Sequence, residues 1–404
     1  MRSLDRRTSF WLIALSLLVV MIAAGAPSPL YVVYQQRIGF SSSTLTVIFA
    51  VYVLALLGSL LTVGSLSDFI GRRPVLLAGL AVEVASLLLF LPADSVGWLV
   101  AARVVQGLAT GAVIGALGAA LVDTQPPGSN LGTVINSAGP ALGLALGALG
   151  SGALIQYAPN PTQLVFLVLI AAVIAAGLGI LAVPETTGRQ PGALASLRPQ
   201  VRVHREVRAP FLAAVPIFIA TWAVAGLYLS LGGSLAVGVF GLHNHLVGGL
   251  VVAAVTGSGA VASVLFRETS EIRSVLLGTL ALVLGLLITL LGIERTDTAT
   301  FFLGSVVAGF GFGASFLGSF RTVAKRVGPD DRAATLAAVL SVSYLGFSVP
   351  AVIAGFVATH RGLRDTALGY GGAVVVLALL AIGTQTVQHR QARRSVALAA
   401  ESVH

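Results

Sequence analysis

Twelve stretches of this 404-residue chain are each long and apolar enough to cross a lipid bilayer, and no other feature narrows the possible folds so far. A membrane helix takes about 20 mostly apolar residues, at about 1.5 Å rise each, to cross about 30 Å of hydrocarbon. With glycine, proline and charged clusters taken as breaks, the stretches run over 10–34, 44–66, 74–92, 97–122, 130–156, 162–183, 210–239, 246–266, 274–293, 299–323, 333–358 and 366–387. They follow one another so closely that no soluble domain fits between them. Composition agrees: 56% of residues are hydrophobic, 10% are charged and the mean hydropathy is +0.95, whereas about a quarter of the residues of a soluble domain are charged. The expected fold class is an all-α membrane protein of twelve transmembrane helices.

The formal charge of +9 would point to nucleic acid only if a basic face lay on a folded surface. Here the charges sit in short gaps between apolar runs, so they report topology. Alternating the loops from a cytoplasmic N-terminus puts nineteen of the 24 Lys and Arg residues inside: Arg2, Arg6, Arg7, Arg72, Arg73, Arg189, Arg198, Arg202, Arg205, Arg208, Arg267, Arg273, Arg321, Lys325, Arg326, Arg332, Arg390, Arg393 and Arg394. The outside receives Arg37, Arg295, Arg361 and Arg364, and Arg103 is left within the membrane. By the positive-inside rule both termini are expected in the cytoplasm, on a multi-pass protein of the cell inner (plasma) membrane. The start, basic and then apolar to Ala24-Gly25-Ala26, also has the form of a signal peptide. Cleavage there would leave eleven spans and put Arg72 and Arg73 on the wrong side, so 10–34 is read as a retained first helix, bent near Pro27 and Pro29. The absence of cysteine excludes disulfides, thiolate metal sites and cysteine nucleophiles.

The longest polar stretch, 184–209, divides the spans six and six. It is read as a cytoplasmic linker between an N-terminal six-helix bundle, 1–183, and a C-terminal one, 210–404, that ends in a short cytoplasmic tail. Repeated halves are common in transporters. At an offset of 200, Asp68 falls on Glu268, Arg73 on Arg273, and Val75-Leu76-Leu77 on Val275-Leu276-Leu277, within the same loop of each half. Two pseudo-symmetric six-helix bundles are therefore expected.

The loop between the second and third spans reads Gly64-Ser65-Leu66-Ser67-Asp68-Phe69-Ile70-Gly71-Arg72-Arg73-Pro74. Gly64 permits close approach of a neighbouring helix, and Gly71 supplies a backbone conformation that other residues resist. Asp68 ends beside Arg72 and Arg73 at the membrane face, where an ion pair can hold one conformation of a gate. The string resembles the signature loop of the major facilitator superfamily, G-x-L-a-D-r/k-x-G-r/k-r/k, at Gly64, Leu66, Asp68, Gly71, Arg72 and Arg73, and departs from it at Phe69. The resemblance implies that this loop locks the cytoplasmic gate in the outward-facing state together with an acid at the inner end of the fourth helix, a place that Asp123 occupies.

The fourth span opens Arg103-Val104-Val105-Gln106-Gly107, which resembles R-x-x-q-G, a signature of proton-coupled members of that superfamily. An arginine within a membrane helix costs at least about 2.5 kcal/mol and has to face a partner or a wet cavity. A structural hydrogen bond to the first helix would serve as well as a proton-coupling role. Glu83 is the one carboxylate near the middle of a span. Positions 83 and 103 are equidistant from residue 93 in the 91–95 turn, so on an antiparallel hairpin they share a depth. Glu83 and Arg103 are therefore expected to pair, or Glu83 to titrate beside Arg103. In the fifth span Gly139-Pro140-Ala141-Leu142-Gly143 with Gly147 and Ser151 forms a small-residue stripe for helix packing. Its Gly-Pro-x-x-Gly core resembles the fifth-helix signature of twelve-span drug/proton antiporters, with Ile135 and Leu144 in place of flanking glycines, and tilts the reading towards export.

The second half offers aromatic residues rather than charges. Trp222, Tyr228, Phe312, Phe316 and Tyr344, with Gln106 from the first half, are the substrate-cavity candidates, although packing and interface roles are commoner for such residues. The pair His243 and His245 lacks an adjoining acid, so no metal is expected. Together these readings give a secondary active transporter working by alternating access, exporting a small lipophilic or amphipathic compound against protons. Its partners are the substrate, protons and the bilayer, with no nucleic acid; it needs no cofactor and acts as a monomer. Helix one has no carboxylate between Ser9 and Tyr34, which keeps open a sugar, metabolite or lipid carrier without proton coupling. An enzyme is disfavoured because the spans hold no His or Cys and one central acid. A channel suits the duplicated halves poorly, and ATP drive lacks its glycine loop.

Overall fold

The computed structural model describes residues 4–328 and 331–401, and every regular element among them is a helix. Arg2 lies outside the described residues, as do the side chains of Arg332, Arg390, Arg393 and Arg394. Among the described residues twelve helices are long and apolar enough to cross a membrane: α1 (Arg6–Ile38), α2 (Ser42–Val63), α3 (Arg72–Phe90), α4 (Val96–Thr124), α5 (Leu131–Tyr157), α6 (Pro161–Ala182), α7 (Val207–Gly238), α8 (His245–Leu265), α9 (Glu271–Arg295), α10 (Thr298–Ala324), α11 (Ala333–Arg361) and α12 (Leu363–Gly383). The end carrying the α2–α3 and α8–α9 loops is the basic end; the other is the opposite end.

Local chemistry sets the helix limits. Asp5 caps α1 by accepting from Thr8 N, and Ser41, Asn244 and Asp297 cap α2, α8 and α10 in the same way. The hydrogen bond from Thr8 holds the Asp5 carboxyl below the usual carboxylate range, and that from Thr300 does so for Asp297. The run of α1 breaks at Ala26. Proline at 27 has no N–H to offer the carbonyl of Ala23, and its ring crowds the preceding turn.

The packing of the first six helices recurs in the last six. In the first set α1 packs on α4, α5 and α6, α3 on α4 and α6, and α2 on α4; in the second α7 packs on α10, α11 and α12, α9 on α10 and α12, and α8 on α10. Advancing every helix by six turns one set into the other, which is the two-fold pseudo-symmetry of the fold. The sets meet where α2 crosses α11 and α5 crosses α8, contacts that the same operation exchanges, and where α1 meets α7. Burial follows position: 72% of the most apolar window of α7 is buried and only 28% of that of α6. Leu178 on α6, Leu303 on α10 and Leu380 on α12 are more than half exposed, as a lipid-facing surface requires. Exposed Trp98 and Tyr157 stand at the opposite end, where an aromatic belt belongs.

Among the described residues, the side-chain hydrogen bonds passing directly between α1–α6 and α7–α12 all lie towards the opposite end. Ser28 Oγ donates to Leu229 O (2.7 Å), Ser234 Oγ to Gln35 Oε1 (3.1 Å), Ser43 N to Thr359 Oγ1 (3.2 Å) and His245 N to Gln156 Oε1 (2.9 Å). The structure is therefore joined at that end.

Gly107 brings α4 against the backbone of α2: a Cβ there would come within 2.8 Å of Ala55 Cβ and 2.9 Å of Leu56 N. Gly107→Val is expected to destabilise the protein by about 1–3 kcal/mol, the usual cost of overpacking. Its thermal midpoint in detergent should fall. Gly150→Ala, with nothing within 4 Å of the new Cβ, should leave the midpoint in place, and equal midpoints for the two variants would refute the close contact.

Candidate functional site

Glu83 and Arg103 lie in the interior of the first six helices, 1% and 2% exposed, and form no ion pair with each other among the described residues. Gln106, fully buried, stands between them. Arg103 Nη1 donates to Gln106 Oε1 at 2.5 Å, and Gln106 Nε2 donates to Glu83 Oε1 at 3.1 Å and to Ala23 O at 3.0 Å. The direct pair expected from the turn geometry is thus replaced by a bridged one, and the reason is register. The bond from Ser86 Oγ to Ala102 O centres the antiparallel hairpin on residue 94 and that from Gln106 to Glu83 midway between 94 and 95, not on 93, so Gln106 rather than Arg103 reaches Glu83. Gln106 is spent inside the bundle and is not a substrate-facing side chain in this structure. The Ala23 carbonyl that it satisfies is the one Pro27 leaves without a helical donor.

From this cluster the contacts run towards the second half. The Arg103 guanidinium lies 3.7 Å over the ring centroid of Tyr52 from α2, an attractive arrangement of cation and ring face. Tyr52 belongs to the same buried apolar cluster as Tyr344 and Phe347 of α11. Tyr344 packs edge-on against Trp222 at 4.9 Å, and Trp222 in turn meets Phe312 (6.4 Å), Phe316 (5.6 Å) and Phe347 (5.3 Å). Phe347 also meets Phe49 of α2 at 5.0 Å, so the aromatic cluster lies on the interface between the halves. Trp222 Nε1 is buried there with no hydrogen-bond partner among the described residues. The structure brings four of the aromatic candidates together and separates the fifth. Tyr228 lies on another face of α7, donor or acceptor to Ser305 Oγ at 2.7 Å and stacked on Phe301, so it is core to the second half rather than part of this cluster. Six residues along a helix amount to about 240° of rotation, which takes it away from Trp222. Phe347 was not singled out in the sequence.

At the basic end Arg72 bonds Asp68 and Ser67, and its Nε lies 3.3 Å from Asp123 Oδ2. The α2–α3 loop and the ends of α3 and α4 are thereby clamped. Gly64 ends α2 where α4 passes at Gly115, and Gly71 takes φ +102°. Against Gly71 sits Glu185, which the sequence reading missed: Arg72 N donates to its Oε1 (2.8 Å) and Arg73 N to its Oε2 (3.0 Å). A carboxylate from beyond α6 therefore caps the start of α3, where free N–H groups and the helix dipole favour negative charge. Arg73 supplies this N–H and, among the described residues, no ion pair. Thr186 Oγ1 donates to Asp123 Oδ2, drawing the same segment onto α4. A cleft of about 430 Å³ lined by Arg6, Asp123 and Thr186 opens beside the clamp.

The second half has a clamp at the matching place with the charges reversed. Lys325, at the end of α10, pairs with Glu271, at the start of α9, at 2.5 Å, and Arg321 donates to the carbonyls of Phe266, Arg267 and Thr269. Glu268, aligned with Asp68 by the offset of 200, instead pairs with its neighbour Arg267. On α5, the Gly139, Gly143 and Gly147 stripe receives α1: a Cβ at Gly139 would meet Leu17, one at Gly143 Met21 and one at Gly147 Ile22. Pro140 lies inside the helix.

The Major Facilitator Superfamily model matches residues 13–291. An uncharacterized transporter of Rickettsia bellii (strain RML369-C) is 36% identical over 137 residues, 33% of each chain. The multidrug transporter MdfA of Yersinia pestis bv. Antiqua (strain Angola) is 36% identical over 125 residues, 30% of each. The chain thus spans about a third of the length of the relatives it matches. A crystal structure of the peptide transporter POT, in complex with sulfate, superposes with a TM-score of 0.76 at 14% identity, covering 95% of this chain and 98% of that one, a likeness of fold.

If Glu185 belongs to the clamp, Glu185→Ala should move the separation of spin labels at Cys-substituted Ser129 and Gly328 in the same direction as Asp68→Asn. The double variant should move it by less than the two shifts together, because the sites share Arg72. A wild-type distance distribution in Glu185→Ala would remove Glu185 from the clamp.

Proposed function

From the premise that the chain belongs to the Major Facilitator Superfamily, and so is a multi-pass membrane transporter of small molecules rather than an enzyme, we propose that it is a proton-coupled exporter of lipophilic or amphipathic compounds working by alternating access. The basic end faces the cytoplasm, with residues 1–183 and 210–404 rocking about the aromatic cluster and 184–209 linking them. The observation that carries this reading is the continuity from Glu83 through Gln106, Arg103 and Tyr52 to Tyr344 and Trp222. One end of that chain is the single mid-membrane carboxyl, which exchanges a proton. The other is an aromatic surface on the interface between the halves, which suits an apolar ligand.

Coupling needs no contact between proton and substrate. A ligand shifts an equilibrium only by its differential affinity for the two states. Proton and substrate each prefer one state, and the clamps of Asp68, Arg72 and Asp123 and of Glu271 and Lys325 add a bias. Partly exposed ion pairs contribute only about 0–1 kcal/mol each, enough to tilt the balance without fixing it. Export is supported by the Gly139-Pro140-x-x-Gly143 core and by the likeness to the multidrug transporter. A second reading, an uncoupled metabolite carrier, is favoured by one observation: α1 has no acid within the membrane, so Glu83 stands alone.

Proteoliposomes with an imposed pH gradient and a panel of lipophilic cations, neutral amphiphiles, sugars and peptides separate the two. Substrate-driven proton flux should be present in the wild type and fall to the level of empty liposomes in Glu83→Gln; unchanged flux in the variant would remove Glu83 from the mechanism. Trp222→Ala should weaken substrate binding by about thirtyfold or more, the equivalent of about 2 kcal/mol for a buried aromatic anchor. Tyr228→Phe should change it by no more than about twofold, and the reverse ranking would move the substrate site away from the cluster.

A further inference from the structure

We infer that Gln106 is a positioning residue that carries the protonation state of Glu83 to the break in α1 and, through it, to the seal between the two halves. The inference rests on the reading of Glu83 as the proton-exchanging group. The Gln106 amide is fully engaged: its oxygen takes the Arg103 guanidinium, one N–H goes to Glu83 and the other to Ala23 O. A flipped amide would turn its N–H groups on the guanidinium, so the orientation has one stable choice.

The bond to Ala23 exists because Pro27 cannot make it. In an unbroken helix the N–H of residue 27 would occupy the Ala23 carbonyl, and the proline leaves it free. Just past the break α1 engages the second half, Ser28 Oγ donating to Leu229 O at 2.7 Å and Gln35 Oε1 accepting from Ser234 Oγ at 3.1 Å. Gly233 of α7 lies against Val32 of α1. Glu83, Gln106, the Ala23 carbonyl, the α1 break and the α1–α7 contact are consecutive parts of one chain.

An ionised carboxylate accepts a hydrogen bond about twice as strong as a neutral group does. Glu83 in its charged form therefore pulls the Gln106 amide more firmly than the acid form, and the amide cannot shift without disturbing its hold on Ala23. Arg103 from α4, Tyr52 from α2 and Tyr31 from α1 are the titratable or charged groups around the cluster. The span of α6, also packed on α3, has no titratable side chain, and Arg72 and Asp123 stand at the far basic end.

The chain has no native cysteine, so spin labels at Cys-substituted Gln36 and His243 report the separation of the halves at the opposite end. In the full chain in phospholipid nanodiscs, the wild-type distance distribution should shift with pH, and Glu83→Gln should abolish the shift. Gln106→Leu should also abolish it while the infrared band of the protonated Glu83 carboxyl, identified by its loss in Glu83→Gln, still titrates. Pro27→Ala, which returns an N–H to Ala23, should match Gln106→Leu and guards against a folding defect at 106. A wild-type pH response in Gln106→Leu or Pro27→Ala overturns the linkage while leaving Glu83 as the proton site. Loss of the carboxyl band in Gln106→Leu overturns it too, since the amide would then act on the acid itself. A response that persists in Glu83→Gln overturns the reading of Glu83 and the linkage with it.

Discussion

A backbone carbonyl in hydrocarbon has no water to fall back on, and leaving it unbonded costs several kcal/mol. Pro27 creates such a carbonyl at Ala23, in the middle of the first helix, and the molecule answers with a side chain from the fourth. That answer fixes much else. It draws Gln106 to α1, orients its amide, and so sets which atoms Arg103 and Glu83 find opposite them. With the oxygen turned to the guanidinium and an N–H to the carboxyl, the two charged groups are held in one network without touching. A break in a helix and a buried polar cluster are here two sides of one constraint.

The same economy appears at the basic end. Helix starts present free N–H groups, and Glu185 satisfies two of them at α3 while Arg72 gathers Asp68 and Asp123. The clamp is formed in a structure whose halves are joined by side-chain hydrogen bonds at the opposite end. The described bonds of the clamp stay within the first six helices and the segment that follows α6. It therefore ties the basic ends of α3 and α4 and the segment after α6 into one unit. Reversal of charge in the second half, Glu271 with Lys325, joins the basic ends of α9 and α10 by another arrangement.

Much of this was legible in the sequence. Twelve helices follow from apolar length because hydrocarbon tolerates so little else, and the bend at Pro27 follows from its missing N–H. Asp68 and Arg72 share one short loop, and the place of Asp123 beside them is what the resemblance of that loop to the superfamily signature implies. What could not be read depended on registers and on irregular chain. A shift of a little more than one residue in the centre of the α3–α4 hairpin exchanged Arg103 for Gln106 opposite Glu83. Glu185 lies beyond a helix end, where no periodicity says which way a side chain points. Tyr228 is the opposite case: its angular separation from Trp222 was available from helix geometry and argued against grouping the two.

Glu83 is proposed as the group that exchanges the proton coupled to transport. The most direct test of that role is the number of protons released when substrate binds to the purified protein in weakly buffered detergent solution, read with a pH indicator. The wild-type chain should release protons and Glu83→Gln none at equal substrate occupancy. Equal release by the two proteins would contradict it.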